Sequence, residues 1–351
     1  MQIMNESIHR LLDANINRAV EGIRVLEEAA RMVLDDAELT GCIKDIRHTL
    51  IQVVKSEKKL SRFLLPSRGS DHDVLRSGET VHERHRGTIL SVIEANAGRA
   101  QEALRVIEEY GKLVYPSLSG RFKAIRFSLY DIEKELAVRL STQCLLSRER
   151  LGVIVILVHK PDSGSDPGDC AKAYIDEGAG TIAFSDSVSH DGRFLKYAER
   201  VLGAADDGDV TALICDRLDC ALIVGADGIL LSPYGLPVDA CKGVANPAFI
   251  IGYTEPWDSD QELAIREDSH FVVIDLPNAK KRAGGRLPDC FSERVKAAPL
   301  PVIALGDFSV AEAEILLSSG FTGIAVKSDQ CSVPSFVNIV KVVRTYGGET
   351  T

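Results

Sequence analysis

The sequence predicts two domains of different class, an α domain followed by an α/β domain: a duplicated helical bundle over residues 1–146, then a (β/α)8 TIM barrel over 147–351. Three observations predict this. The chain has 351 residues, enough for two hydrophobic cores. A long helical segment in its first half recurs 81 residues later. Beyond residue 151 short β-rich runs alternate with helical stretches, the order that builds a parallel sheet.

The first element is carried by "LDANINRAVEGIRVLEEAARMV" (12–33), which matches "IEANAGRAQEALRVIEEYGKLV" (93–114). Between Asp13–Glu28 and Glu94–Glu109, nine of sixteen positions are identical. Apolar residues at 8, 12, 16, 19, 23, 26, 30 and 33 return at 89, 93, 97, 100, 104, 107, 111 and 114. Steps of three and four predict an amphipathic helix of about seven turns in each copy. A second helix follows each: "IKDIRHTLIQVV" (43–54) aligns with "FKAIRFSLYDIE" (122–133), setting Lys44 on Lys123 and Arg47 on Arg126. With a polar linker over 61–85, the four helices predict a bundle with an internal pseudo-twofold axis.

Polar residues recur with the apolar ones. Asn15, Arg18, Glu21, Arg24, Glu27 and Glu28 correspond to Asn96, Arg99, Glu102, Arg105, Glu108 and Glu109. One reading is a solvated face of ion pairs three and four residues apart. The other is a ligand site: mid-helix asparagine is a poor helix former, yet both copies keep it. Twofold-related Asn/Arg/Glu sets would suit a phosphorylated ligand with a polar ring. Of the 24 basic residues in 1–150, 17 are arginine, whose planar fork binds phosphate in two places at once.

The eight strands are expected at 152–158, 181–184, 211–215, 228–231, 249–253, 271–275, 301–305 and 323–327, with functional residues just after them. This half carries 17 Lys+Arg against 29 Asp+Glu, which would repel an anionic ligand unless a metal or a nest of N–H groups intervened. The eight cysteines show no CxxC or metal-ligand spacing, so free thiols and a cytoplasmic setting are expected. No apolar run reaches the roughly 18 residues of a membrane span, and no basic-then-apolar leader opens the sequence. Nothing in the charge pattern suggests nucleic acid.

The motifs "LDANINRAVEGIRVLEEAARMVLDD", "RHTL", "SRGSDHDV", "EANAGRAQEALRVIEEYGKL" and "IRFSLYDIEKEL" resemble the small helical hydroxymethylpyrimidine monophosphate kinases found alone or fused ahead of thiamine phosphate synthase. The resemblance covers about residues 8–140. It implies ATP-dependent phosphorylation of the aminopyrimidine monophosphate to the diphosphate, although the sequence has neither a P-loop nor a kinase glycine loop. Such chemistry needs positioning and charge neutralisation, which arginines and a carboxylate-held Mg²⁺ can supply. Under it Arg18, Arg24, Arg47, Arg68, Arg99, Arg105 and Arg126 become phosphate ligands, Asn15, Glu21, Asn96 and Glu102 line the site, and Asp71 and Asp73 are the metal or base candidates. Leu75 stands where the family usually has glycine.

The frame "CDRLDCALIVGADGILLSPYGLPV", "IIGYT", "PVIALGDFS" and "GIAVKS" resembles thiamine phosphate synthase over about 150–345. That resemblance implies joining of aminopyrimidine diphosphate to thiazole phosphate with Mg²⁺ and release of pyrophosphate. The departures fall on ligand positions. Ala183–Ser187 replaces Gln-Leu-Arg-acidic-Lys; Cys215 and Asp216 replace Asn-Asp; Leu230–Gly235 replaces His-Leu-Gly-Gln-x-Asp. Thr254 replaces serine, Lys280 or Lys281 stands near a missing Thr-x-Thr-Lys loop, and Asp307 replaces a phosphate-loop glycine. Asp216 alone keeps a metal-type carboxylate. The expectation is a thiamine-pathway homodimer whose helical domain is the kinase and whose barrel is an impaired synthase. A working bifunctional enzyme and a non-catalytic ligand-binding scaffold are the alternatives.

Overall fold

The computed structural model describes residues 2–64, 66, 88–159, 165–257, 268–276 and 289–347. The chain divides into two compact units, Met1–Ser141 and Thr142–Thr351.

In the first unit α1 (Gln2–Met32), α2 (Ala37–Ser56) and the short α3 (Lys58–Leu64) form one copy. The other has α4 (Ile89–Val114), a 3₁₀ turn at Pro116–Leu118 and α5 (Ser119–Leu145). The helices start where their sequences provide caps. Asp36 accepts the Leu39 N–H at the head of α2, and Thr88 forms a reciprocal capping box with Ser91 at the head of α4. The recurring apolar stripe is the core: Leu12, Ile16, Ala19, Ile23 and Leu26 pack in one cluster with Ile93, Ala97, Ala100, Leu104 and Ile107. α1 lies closely along α4 because the contact is built from small residues. A Cβ on Gly22 would sit 2.8 Å from the Asn96 carbonyl oxygen and 3.0 Å from the Ala100 Cβ. Among the described residues no helix is long and apolar enough to cross a membrane.

The second unit opens with α6 (Arg148–Leu151), a helix of four residues. Its strands are β1 (Val153–Val158), β2 (Thr181–Ser185), β3 (Thr211–Cys215), β4 (Gly228–Leu231), β5 (Ile250–Pro256), β6 (Phe271–Asp275), β7 (Val302–Leu305) and β8 (Gly323–Lys327). All pair in parallel, in sequence order, and β8 closes onto β1. Between them run α7 (Pro167–Asp176), α8 (Asp191–Asp207), α9 (Leu218–Val224), α10 (Val238–Lys242), α11 (Asp289–Ala297) and α12 (Val310–Ser318), with α13 (Val333–Gly347) after β8.

The pleat sorts the strand residues into two cores. Ile154, Ile156, Ala183, Leu213, Phe271 and Ile303 fill the lumen. Val153, Val155, Leu157, Ile182 and Ile214 face the helical layer. Both faces of each strand are thus apolar, which explains why the strands read as unbroken runs in the sequence. Leu145 and Leu146 pack against the lumen cluster beside Leu151, so the last residues of α5 belong with the barrel. The eight expected strands are all present. β5 runs beyond its expected end because Glu255 and Pro256 pair with Ile274 and Asp275 of β6.

Candidate functional site

In the helical unit the repeated polar residues assemble twice into the same triad. Glu27 of α1 is 4% exposed and takes three hydrogen bonds: Arg47 of α2 donates through Nε (2.7 Å) and Nη2 (3.3 Å), and Arg24 through Nη1 (2.9 Å). Glu108 of α4, equally buried, accepts from Arg126 of α5 at 3.3 and 3.2 Å and from Arg105 at 2.9 Å. Burial alone would push the Glu27 carboxyl up, but the hydrogen bond and charge of Arg47, with Arg24 and Lys44, hold it below the usual glutamate value. Each triad joins the long helix of a copy to its second helix.

The expected phosphate ligands therefore separate into two groups. Arg47 and Arg126 are largely buried, and the Nε and Nη2 of each are already taken by glutamate. Arg24 and Arg105 keep about half of their side chains exposed while touching Glu27 with Glu28, and Glu108 with Glu109. Arg18, Glu21, Arg99 and Glu102 are exposed. Arg99 lies along its own helix, donating to the Ala95 carbonyl and the Asn96 side chain. Asn15 and Asn96 each donate to the carbonyl four residues back, Leu11 and Val92, which accounts for their place in mid-helix. Arg68, Asp71 and Asp73 lie outside the described residues.

A cavity of about 340 Å³ opens between α2 and α5, lined in part by Ile46, Thr49, Ile125 and Ser128. In the repeat alignment Ile46 corresponds to Ile125 and Thr49 to Ser128, so two matched pairs line this cavity from the second helices of the two copies. Sequence reasoning missed it, although the matched hydroxyls were visible in the aligned second helices.

At the C-terminal end of the barrel strands, Asp216 follows β3 with φ +57°, a left-handed conformation unusual for a residue with a side chain. It is fixed there by two bonds: its N–H donates to the Leu230 carbonyl (3.1 Å), and its Oδ1 accepts the Ser232 N–H (2.7 Å). Gly235 is required beside it, since a Cβ there would lie 2.4 Å from the same oxygen. Burial pushes the Cys215 thiol up to about 12, with Asp216 adding to the rise and Lys327 opposing it. Lys327, ending β8, reaches Asp275, ending β6, at 3.4 Å. After β2, burial acts to raise the Asp186 carboxyl, but the N–H groups of Ser189 and Val188 (2.9 Å each) and the nearby His159 bring it below its ordinary value.

Among the described residues no three His, Cys, Asp or Glu side chains come together to hold a metal ion. One oxygen of Asp216 accepts a backbone N–H, and Mg²⁺ held by one or two protein carboxylates takes its remaining ligands from substrate oxygens and water. Leu230 is buried in the lumen cluster. Ser187, at the position where the resemblance implies a diphosphate-binding lysine, is exposed. Lys280 and Lys281 lie outside the described residues.

Comparison with known proteins divides the chain in the same way. The ThiD2 family matches residues 10–135, and the thiamine monophosphate synthase family matches residues 154–329. Thiamine-phosphate synthase of Rhodopirellula baltica is 31% identical over 334 residues, covering 92% of this chain and 88% of the relative. The enzyme of the same name from Thermosynechococcus vestitus is 31% identical over 324 residues, covering 92% and 90%. Among solved structures, a thiamine phosphate pyrophosphorylase from Pyrococcus furiosus aligns with 57% of this chain and 98% of its own, at 21% identity and a TM-score of 0.48.

Proposed function

Because the chain belongs to the thiamine monophosphate synthase family, with a ThiD2-family unit ahead of the barrel, we propose that it is a thiamine-biosynthesis transferase acting at two successive steps. The helical unit phosphorylates hydroxymethylpyrimidine monophosphate from ATP, and the barrel joins the resulting diphosphate to thiazole phosphate, releasing pyrophosphate. The observation that carries this reading is the 31% identity to a named thiamine-phosphate synthase across both halves of the chain.

In the helical unit the buried pairs Glu27–Arg47 and Glu108–Arg126 act as struts, and the exposed Arg18, Arg24, Arg99 and Arg105 are the phosphate ligands. A planar guanidinium with free N–H groups neutralises a transferring phosphoryl group without changing its own protonation. In the barrel, Asp216 and Lys327 supply a carboxylate and an ammonium at the strand ends, where barrel enzymes act. Lys327 is the one cationic side chain described there in an ion pair with a strand-end carboxylate, and an arriving diphosphate competes with Asp275 for it.

A second reading is favoured by the same geometry. With Asp216 single, Lys327 paired and Ser187 and Asp307 at phosphate-binding positions, the barrel is an impaired synthase and the chain a kinase alone. One assay separates them. Purified chain is given the pyrimidine monophosphate, ATP and Mg²⁺, then thiazole phosphate, and thiamine phosphate is measured. Formation of thiamine phosphate that Asp216→Ala abolishes supports the two-step enzyme. Diphosphate without thiamine phosphate leaves the kinase alone, and neither product removes both readings.

A further inference from the structure

The cavity between α2 and α5 combines matched residues with an unmatched pair of charges. Ile46 lines it with its repeat counterpart Ile125, and Thr49 with its counterpart Ser128. The two ionic side chains of the lining have no such counterparts. Ala124 stands where the second copy would repeat Asp45, and Cys42 stands where the first would repeat Arg121. One helix therefore brings a carboxylate to the groove and the other a guanidinium.

Elsewhere in the helices hydroxyls turn back onto their own backbone: Thr40 donates to the Asp36 carbonyl, Ser318 to that of Ile315 and Thr345 to that of Lys341. In the groove they do not. Among the described residues the Thr49 and Ser128 hydroxyls make no hydrogen bond, and the Asp45 carboxylate makes neither a hydrogen bond nor an ion pair. Arg121 donates through Nη1 alone, to Ser56 Oγ at 3.0 Å, which leaves Nε and Nη2 for a ligand. Ser56 lies eleven residues beyond Asp45 on α2, about 16 Å along the helix, so the two charges stand at opposite ends of the groove. A bare phosphate meets only the Arg121 end, and a bare cation only the Asp45 end. An elongated molecule carrying both meets both, with its middle over Ile46 and Ile125 and within reach of the two hydroxyls.

We propose that this groove binds an elongated phosphate monoester with a cationic, amine-bearing ring portion, the ring portion against Asp45 and the phosphate against Arg121. Resting on the function proposed above, the molecule of that description is thiamine phosphate, the product of the second step, and the groove is a product-binding regulatory site on the unit that performs the first. Arg18, Arg24, Arg99 and Arg105 do not line it, so product held there leaves the proposed phosphate ligands unoccupied.

The test uses the full chain labelled at isoleucine δ1 methyl groups and followed by NMR, which reads the groove separately from any binding in the barrel. The Ile46 and Ile125 signals are assigned by their loss in Ile46→Val and Ile125→Val. Thiamine phosphate is expected to shift both saturably. Thiamine, which lacks the phosphate, thiazole phosphate, which lacks the cation, and inorganic pyrophosphate, which has no ring, are each expected to bind at least about tenfold more weakly. Arg121→Gln is expected to weaken thiamine phosphate by about fivefold or more and leave thiamine unchanged; Asp45→Asn is expected to weaken both and leave thiazole phosphate unchanged. Immobile methyls up to millimolar thiamine phosphate, equal affinity for thiazole phosphate or pyrophosphate, or a titration unchanged in both variants would each overturn the proposal. The probes are compared on the parent chain, so that arm decides even where a variant misfolds. Turnover is not part of the readout: an inactive chain whose methyls respond counts against the proposed function alone, and an active chain whose methyls do not counts against this site alone.

Discussion

At the scale of single residues, Glu27 and Glu108 show what the duplication preserves. A buried carboxylate with two arginines is stable only while the partners stay, because removing one leaves a charge in a poorly solvated place. Arg47→Ala and Arg126→Ala are each expected to cost about 3 to 5 kcal/mol, read as a lower urea midpoint. The pH dependence has a definite sign. Glu27 titrates below its unfolded value of 4.5, so its contribution is complete above that value and is lost as the pH falls through the lower folded value. Glu27→Gln should therefore flatten the acid limb of the stability curve and leave its neutral-to-alkaline shape unchanged. Arg18→Ala and Arg99→Ala test the other group: exposed on the proposed phosphate-binding face, they are expected to cut phosphorylation by more than about tenfold while melting like the parent. Parental turnover in both would return that face to solvent.

Among the elements, the close approach of α1 and α4 depends on Gly22. Its Cβ would meet a backbone carbonyl, which cannot swing aside as a side-chain tip can. Gly22→Ala is expected to destabilise the unit by about 1 to 3 kcal/mol. Gly98, also in α4, has nothing within 4 Å of its would-be Cβ, so Gly98→Ala should stabilise by roughly 0.5 to 1 kcal/mol. Differential scanning calorimetry of the two variants checks the opposite signs. Elements of this kind were legible in the sequence: three-and-four spacing marks a helix, and strands buried on both faces read as apolar runs between turns. The site was less so. Periodicity shows that Arg47 and Arg126 recur, but not that each crosses to a glutamate on another helix, because that bond depends on how helices pack. Nor does a strand-end residue such as Lys327 disclose in sequence that Asp275, fifty-two positions away, is its partner.

For the whole molecule, the two units have separate cores. Residues 1–146 are expected to fold alone, with a single cooperative melt, and to keep the phosphorylation proposed for them. An insoluble or inactive fragment would mean that the barrel does more than follow the bundle in sequence. The pseudo-twofold within the bundle has a consequence of its own. Two copies in one chain behave as a dimer whose partner is tethered, so each meets the other at an effective concentration set by the connecting segment and not by the amount of protein present. Dilution cannot separate them. If the same copies were produced as two chains, cut between residues 64 and 88, the melting temperature would become concentration-dependent, and a long α1 freed from its own α4 could pair with that of a neighbour.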